Sequence, residues 1–434
     1  MSPELIGVIG IIVLLVLLFL KVPVSISLIF VGTAGFGIIR GFDTGLIQLG
    51  NTPFGTASSY SLSVIPLFIL MGMILSYSGL GQDLFRMVDS WIGHIKGGLA
   101  LTTIGTSAIF ASISGSVNAT TAAMARITLP EMKKYNYKPA ISTASVAAGG
   151  TLGILIPPSV ILILYGVMTM EPIGDLLIAG IIPGIVQVGL FMLVISLWVR
   201  KDPDAGPQTE KSDWKTRFKS ISKVWPFAIL FVVSIGGIYL GIFTPTEAGA
   251  VGAFGALLLA LITRRIDLDK LKKALSETTR LSAMIFLILI GADIFSKFLA
   301  ISRIPMNITA FINGLDWSPI IIISMILVVY LILGMFLETI AILAMTLPVV
   351  YPIITQLGFD GVWFGVIMII VMNIGLITPP LGLSVYIISG VMKEYAVEKI
   401  FRWVVPMLAA MVFSIVLFLI FPQFITILPS LMRG

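Results

Sequence analysis

The sequence predicts an all-α, polytopic membrane protein built of two inverted-topology repeats, each with a re-entrant hairpin and a broken helix. Three observations predict it. Hydrophobic residues fill 58% of the 434 positions and charged residues 11%, with a mean hydropathy of +1.09; soluble domains carry about 25% charged residues. The run Gly153-Ile-Leu-Ile-Pro-Pro158 returns as Gly375-Leu-Ile-Thr-Pro-Pro380, both inside apolar stretches. Lys and Arg crowd some short loops and avoid others, which is how a membrane chain marks its cytoplasmic side.

The Pro-Pro pairs set the logic. Each pair removes two backbone donors and clashes with the preceding turn, so a helix cannot pass through intact. In lipid such a break survives only where protein or a polar cavity satisfies the freed carbonyls. Two breaks at corresponding places in two halves point to the binding site of a secondary carrier.

In chain order, apolar segments fall at 5–20, 24–39, 64–80, 98–132, 139–170, 176–199, 225–243, 247–263, 281–300, 317–357, 361–391 and 403–421. The first follows Glu4 and precedes Lys21, the reverse of a signal peptide's charge order. It reads as a retained helix with its N-terminus periplasmic. Residues 83–96 place Leu84, Val88, Trp91, Ile92 and Ile95 on one helical face, the pattern of an interfacial helix. Segment 98–132 has His94 and Lys96 before it and Lys133, Lys134 and Lys138 after it, so both ends read as cytoplasmic. Each arm rises only about 24 Å as helix against about 30 Å of hydrocarbon, which predicts a re-entrant hairpin.

The broken helix 139–170 then runs outward, and 176–199 returns to Arg200 and Lys201. Residues 200–223 form a polar cytoplasmic linker with seven Lys or Arg against four acids. It separates a first repeat, 1–199, from a second, 224–434. The pair 225–243 and 247–263 makes an outward hairpin. Thr244-Pro-Thr-Glu247 between them resembles chemistry but reads as a capping box, with Thr244 as N-cap and Glu247 reaching back. No Lys or Arg lies between Ile304 and Met392, so both ends of hairpin 317–357 read as outside. The broken helix 361–391 comes in to Lys393 and Lys399. The longest outward loop spans roughly residues 40–63. Gly72 with Gly291, and Thr128-Leu-Pro130 with Thr346-Leu-Pro348, support the internal repeat.

The candidate site follows from these elements. The first hairpin carries Ser112, Ser114, Gly115, Ser116, Asn118, Thr120 and Thr121 at mid-depth. Neutral hydroxyls, an amide and freed carbonyls are the oxygens that Na⁺ coordinates, and half-helix ends attract carboxylates. The plainer reading is that small residues let helices pack closely. The matching tip reads Gly334-Met-Phe-Leu-Glu338-Thr339, where Glu338 is an acid at membrane depth and so a site candidate by default. Thr378 adds an oxygen beside Pro379, in the break that opens at Gly375. Asp293 and Lys297, four apart on one helix, read as a structural ion pair.

Rival classes lack their residues. An intramembrane enzyme needs a Ser-Lys or Ser-His pair, a Gly-x-Gly-Asp acid or a His-Glu-x-x-His helix, and none is present. The chain has no Cys, hence no thiol nucleophile or thiolate metal site. Its net charge of +6 is spread over loops, so it signals topology and not nucleic acid. No cofactor is expected.

Four motifs also carry a resemblance. Gly241-Ile-Phe-Thr-Pro-Thr-Glu-Ala-Gly-Ala250, Ile65-Pro-Leu-Phe-Ile-Leu-Met-Gly72, Ser114-Gly-Ser116 and Leu152-Gly-Ile-Leu-Ile-Pro-Pro-Ser159 closely resemble the large, DctM-like permease subunit of tripartite ATP-independent periplasmic (TRAP) transporters. The resemblance covers essentially the whole chain. It implies an elevator-type carrier of the bacterial inner membrane, driven by sodium, that takes up an organic acid such as a C4-dicarboxylate or a sialic acid. It implies a periplasmic substrate-binding protein and a small four-helix membrane subunit as partners. It places the sodium regions at Ser114 to Thr121, Gly153 to Pro158 (with Pro157), Gly334 to Thr339 and Gly375 to Pro380. Arg126 is the one Arg in the first hairpin and reads as structural. A self-sufficient sodium–dicarboxylate carrier, which has similar paired hairpins, is the alternative.

Overall fold

The computed structural model describes residues 1–315 and 317–433. It is helical throughout, with 82% of residues in helices and no strand among the described residues. Among the described residues, seven helices are long and apolar enough to cross a membrane, or eight if the bent pair Trp214–Ile221 and Trp225–Tyr239 counts as one span. The protein is a multi-span membrane protein.

Around a buried apolar core, each break interrupts a helix where the Pro-Pro pair requires. The first broken helix is Pro139–Thr151, a short tight turn at Leu152–Ile154, then Val160–Thr169. The second is Gly361–Gly375, then Leu383–Val391. Each follows a hairpin. The first hairpin has a leading arm Gly98–Ser114 and a returning arm Val117–Lys134; the second has Pro319–Phe336 and Thr339–Gln356. Pro130 and Pro348 sit at matching places inside the two returning arms.

The two halves interlock crosswise. The first returning arm packs on Leu383–Val391 of the second broken helix, and the second returning arm packs on Val160–Thr169 of the first. The hydroxyl of Tyr165, fully buried, donates to the carbonyl of Gly361 at 2.6 Å, tying the end of one broken helix to the start of the other. Gly72 and Gly291, paired in sequence, meet different neighbours. Gly72 lies against the Ile113 carbonyl at the first hairpin tip, whereas Gly291 lies against Ser25 and Leu28 of Val24–Arg40.

Several element boundaries differ from the expectation. Residues 40–63 are not a loop: Phe42–Ala57 is a helix lying against Val24–Arg40 and against Leu268–Ile301. Its Gly, Thr, Asn and Pro53 mask any apolar period, so only tertiary contact reveals it. Segment 281–300 is the end of a 34-residue helix, Leu268–Ile301, whose polar first turns extend beyond the apolar run. The helix expected at 83–96 runs Leu80–Ile92, with Leu80, Leu84 and Phe85 buried.

The polar linker 200–223 is also more ordered than its composition suggests. Gly97 N donates to Gly206 O at 2.8 Å and Lys138 N to Ala205 O at 3.1 Å, so one turn of the linker holds both feet of the first hairpin. Its helix Trp214–Ile221 lies on Leu80–Ile92, where Arg217 Nε donates to Ser90 O at 3.1 Å. The Arg217 guanidinium also stacks 5.7 Å from the Trp91 ring and 5.0 Å from the Trp214 ring. The expected capping box forms, with Thr244 N donating to Glu247 Oε2 at 2.8 Å and Glu247 N to Thr244 Oγ1 at 3.3 Å.

Candidate functional site

The first tip turns on Gly115, whose φ of +56° belongs to the left-handed region that glycine enters without strain. Ser116 then caps the returning arm, its Oγ accepting from Ala119 N at 3.4 Å. The Oγ of Ser114 lies 2.7 Å from Thr120 Oγ1. The hydroxyls of Ser114 and Thr120 thus meet across the tip, with the Ser116 carbonyl 3.5 Å from Ser114 Oγ. Asn118 stands exposed on the first turn beyond them.

This tip lies directly on the first break. A Cβ built on Gly153 would sit 2.5 Å from the Ser116 carbonyl oxygen, and one on Gly115 would sit 2.8 Å from that of Pro158. A like geometry appears in the second half: a Cβ on Gly375 would strike the Gly334 backbone, and one on Gly334 would sit 3.0 Å from Met372 O. Backbone contacts backbone at both places, and only glycine permits it. Hairpin tip and broken helix therefore form one unit, twice.

The breaks satisfy their backbones with hydroxyls. Ser159 Oγ donates to Ile154 O at 2.6 Å and accepts from Leu162 N at 3.3 Å, capping the second half of that helix. Thr378 Oγ1 donates to Ile374 O at 2.6 Å. Its proton is committed to its own helix, while its lone pairs stay available. The two breaks differ in exposure. Pro157 and Pro158 are buried, whereas Pro379 and Pro380 are exposed in the isolated chain.

Other expected residues fall in different roles. Thr121 does not face the tip: its Oγ1 lies 3.5 Å from Ser384 Oγ, bridging the first hairpin to the second broken helix. Glu338 occupies the N-cap position of the second returning arm, in extended conformation, without a side-chain cap bond. It is exposed, and Thr339 beside it is buried. Arg126 is exposed on the returning arm. Among the described residues no group of three or more His, Cys, Asp or Glu side chains could hold a metal ion.

One residue escaped sequence reasoning. Asn373 is 1% exposed, and its Oδ1 has no protein partner among the described residues. It stands two residues before the Gly375 break, as Thr151 stands before Gly153. The available signal was a lone amide in the otherwise apolar helix Gly361–Gly375.

These paired hairpin-and-break units lie in both halves of the chain, and a match to known sequences covers both. A family model for the DctM component of tripartite ATP-independent periplasmic transporters matches residues 11–424. The chain belongs to this DctM family. Among similar DctM-type proteins is the C4-dicarboxylate TRAP transporter large permease protein DctM of Pseudomonas aeruginosa, 36% identical over 78% of this chain and 79% of the relative. The sialic acid TRAP transporter large permease protein SiaM of Vibrio cholerae is 32% identical over 96% of this chain and 97% of its own length. The isethionate TRAP transporter permease protein DctMQ of Oleidesulfovibrio alaskensis is 34% identical over 90% of this chain, which spans 61% of that longer protein. In fold, this DctM chain resembles the YdaH transporter of Alcanivorax borkumensis, with a TM-score of 0.64 at 14% identity over 98% of this chain and 99% of the other.

Proposed function

We propose that this DctM-family chain is the large permease of a sodium-coupled carrier that takes up an organic acid, a C4-dicarboxylate, a sialic acid or a related anion. The observation that carries the reading is the doubled unit of hairpin tip on broken helix, with glycine at each contact. Each unit gathers neutral hydroxyls, freed carbonyls and half-helix ends, the equipment that membrane carriers use for Na⁺ and carboxylates. Relatives named for organic-acid transport support the substrate class. Sodium binds at the tips through Ser114, Ser116, Thr120 and their carbonyls, and through Thr378, Glu338 and the Gly375 break. The acid's carboxylate meets the half-helix ends between them.

The two repeats are inverted in the membrane, and the hairpin-and-break core moves as an elevator against the outer helices. The crosswise packing supports this, because it joins both units into a single body. The chain acts as a carrier and not an enzyme, in the inner membrane with its N-terminus periplasmic. A four-helix subunit flanks the outer helices, and a periplasmic binding protein supplies substrate. Uptake into proteoliposomes holding both membrane subunits should need the binding protein and an inward sodium gradient. Sodium-independent uptake would defeat the coupling. Saturable uptake by this chain alone would instead favour a self-sufficient carrier.

A further inference from the structure

A wide cleft lies away from the tips. It has a volume of about 1210 Å³, and none of the tip or break residues lines it. One wall is the unexpected helix Phe42–Ala57 with the end of Leu268–Ile301; the other is residues 166–174 of the first broken helix's end, with Leu347 and Pro348 of the second returning arm. The cleft therefore lies between the outer helices and the hairpin-bearing core. By the charge pattern it is at the outer end.

Lys297 is the single Lys or Arg in this lining. Its Nζ lies 2.8 Å from Asp293 Oδ2 and 3.4 Å from Thr52 Oγ1. An ammonium carries three donors, so these two partners leave one. The lining acids are both engaged: Asp293 by Lys297, and Glu171 by the Tyr351 hydroxyl at 2.5 Å. Gln48, on the same wall, has both side-chain amide atoms buried without a protein partner among the described residues. A buried amide left unpaired is unfavourable, and the oxygens of a polar solute would satisfy it. The volume far exceeds a single ion and suits a small organic molecule with some of its water.

We propose that this cleft is a transit site for the transported organic anion, with Lys297 as its charge partner and the Gln48 amide as a hydrogen-bond partner to its neutral oxygens. The proposal rests on the organic-acid reading above. Lys297 is a point charge, so it accepts a carboxylate or a sulfonate head without demanding one geometry. Its pairing to Asp293 and its 47% exposed side chain keep the attraction weak. Weak holding suits a station that must pass its cargo inward.

The chain's lack of Cys gives a test that does not need transport. Asn51, exposed and lining the cleft, is replaced by Cys in the full chain, in nanodiscs, and its reaction with an uncharged maleimide is timed. Millimolar succinate, isethionate and N-acetylneuraminate are added in turn, against chloride at equal ionic strength. A transported acid should slow labelling severalfold. The protection should vanish with Lys297→Gln, weaken with Gln48→Leu and persist with Lys297→Arg, which also checks folding. The same acids are offered to the assembled system for uptake. No protection by an acid that is taken up, or equal protection in Lys297→Gln, overturns the proposal and leaves the carrier reading standing. Protection by sodium over choline without any acid would assign the cleft to a cation and overturn it too. Uptake of no acid at all brings down the functional reading and this proposal with it.

Discussion

At the scale of single residues, the site rests on atoms that must be small or must be polar. Gly375 touches the Gly334 backbone. Gly375→Val should therefore lower stability by about 1–3 kcal/mol through overpacking, read as a fall in the thermal midpoint in detergent, and should abolish uptake. A normal midpoint would show that the tip can move aside. Ser116 is both cap and candidate sodium ligand. Ser116→Ala should cost about 1 kcal/mol as a lost cap and should also reduce the rise in thermal midpoint on adding sodium. Loss of stability with an unchanged sodium response would leave Ser116 as a cap alone. Much of this was legible: glycine and proline spacing announced both breaks, and the run of hydroxyls announced the first tip. Thr121 and Asn373 were not. Which face of a uniformly buried helix a polar side chain occupies is set by neighbours distant in sequence, and those leave no local period.

At the scale of elements, the foot of the first hairpin is held by three pieces of chain. The Tyr137 hydroxyl accepts from Leu99 N at 3.0 Å, the linker turn bonds to residues 97 and 138, and the amphipathic helix Leu80–Ile92 lies alongside. Gly206 approaches Gly97 so closely that a Cβ on it would sit 2.8 Å from the Gly97 Cα. Gly206→Val should loosen this foot, destabilise by about 1–3 kcal/mol and speed proteolysis within 200–223. Asp89 of the amphipathic helix is pushed up to about 6 by burial, with the Glu131 carboxylate adding to the effect. A raised carboxyl favours the folded state when protonated. Its stabilisation is full at acid pH and is lost as pH rises through about 6. Asp89→Asn should flatten the dependence of the thermal midpoint on pH between about 4 and 6 and should not lower it at pH 7. A marked loss at pH 7 would mean that the charged form makes a favourable contact. The linker composition suggested a slack tether. It is instead a clamp, because backbone-to-backbone bonds such as Gly97 to Gly206 require no particular side chains and so have no sequence signature.

At the scale of the whole molecule, the charge pattern predicts that the two hairpins open to opposite sides. With no native Cys to compete, Gln356→Cys at the foot of the second hairpin should react with an impermeant thiol reagent in intact cells. Gln208→Cys in the linker should react only after the membrane is opened. Both positions are exposed in the fold, so equal labelling in intact cells would refute the inverted arrangement and not merely report burial.

The sequence by itself determined the class of this protein. Its hydropathy required a membrane, its Pro-Pro pairs required broken helices, its glycine and loop-charge patterns pointed to a doubled architecture, and four motifs resembled the DctM family. These are local or compositional signals, and the bilayer makes them strict, since a backbone group in lipid must find a partner. The tertiary structure alone decided what meets what: tip on break, hairpin across to the opposite broken helix, linker around the hairpin's foot, and Lys297 with Gln48 around a common cleft. Those pairings join residues far apart in the chain through packing on faces that are apolar all round. In such helices no periodic stripe marks the contact, so close backbone approach and long-range hydrogen bonds, not local pattern, select the partner.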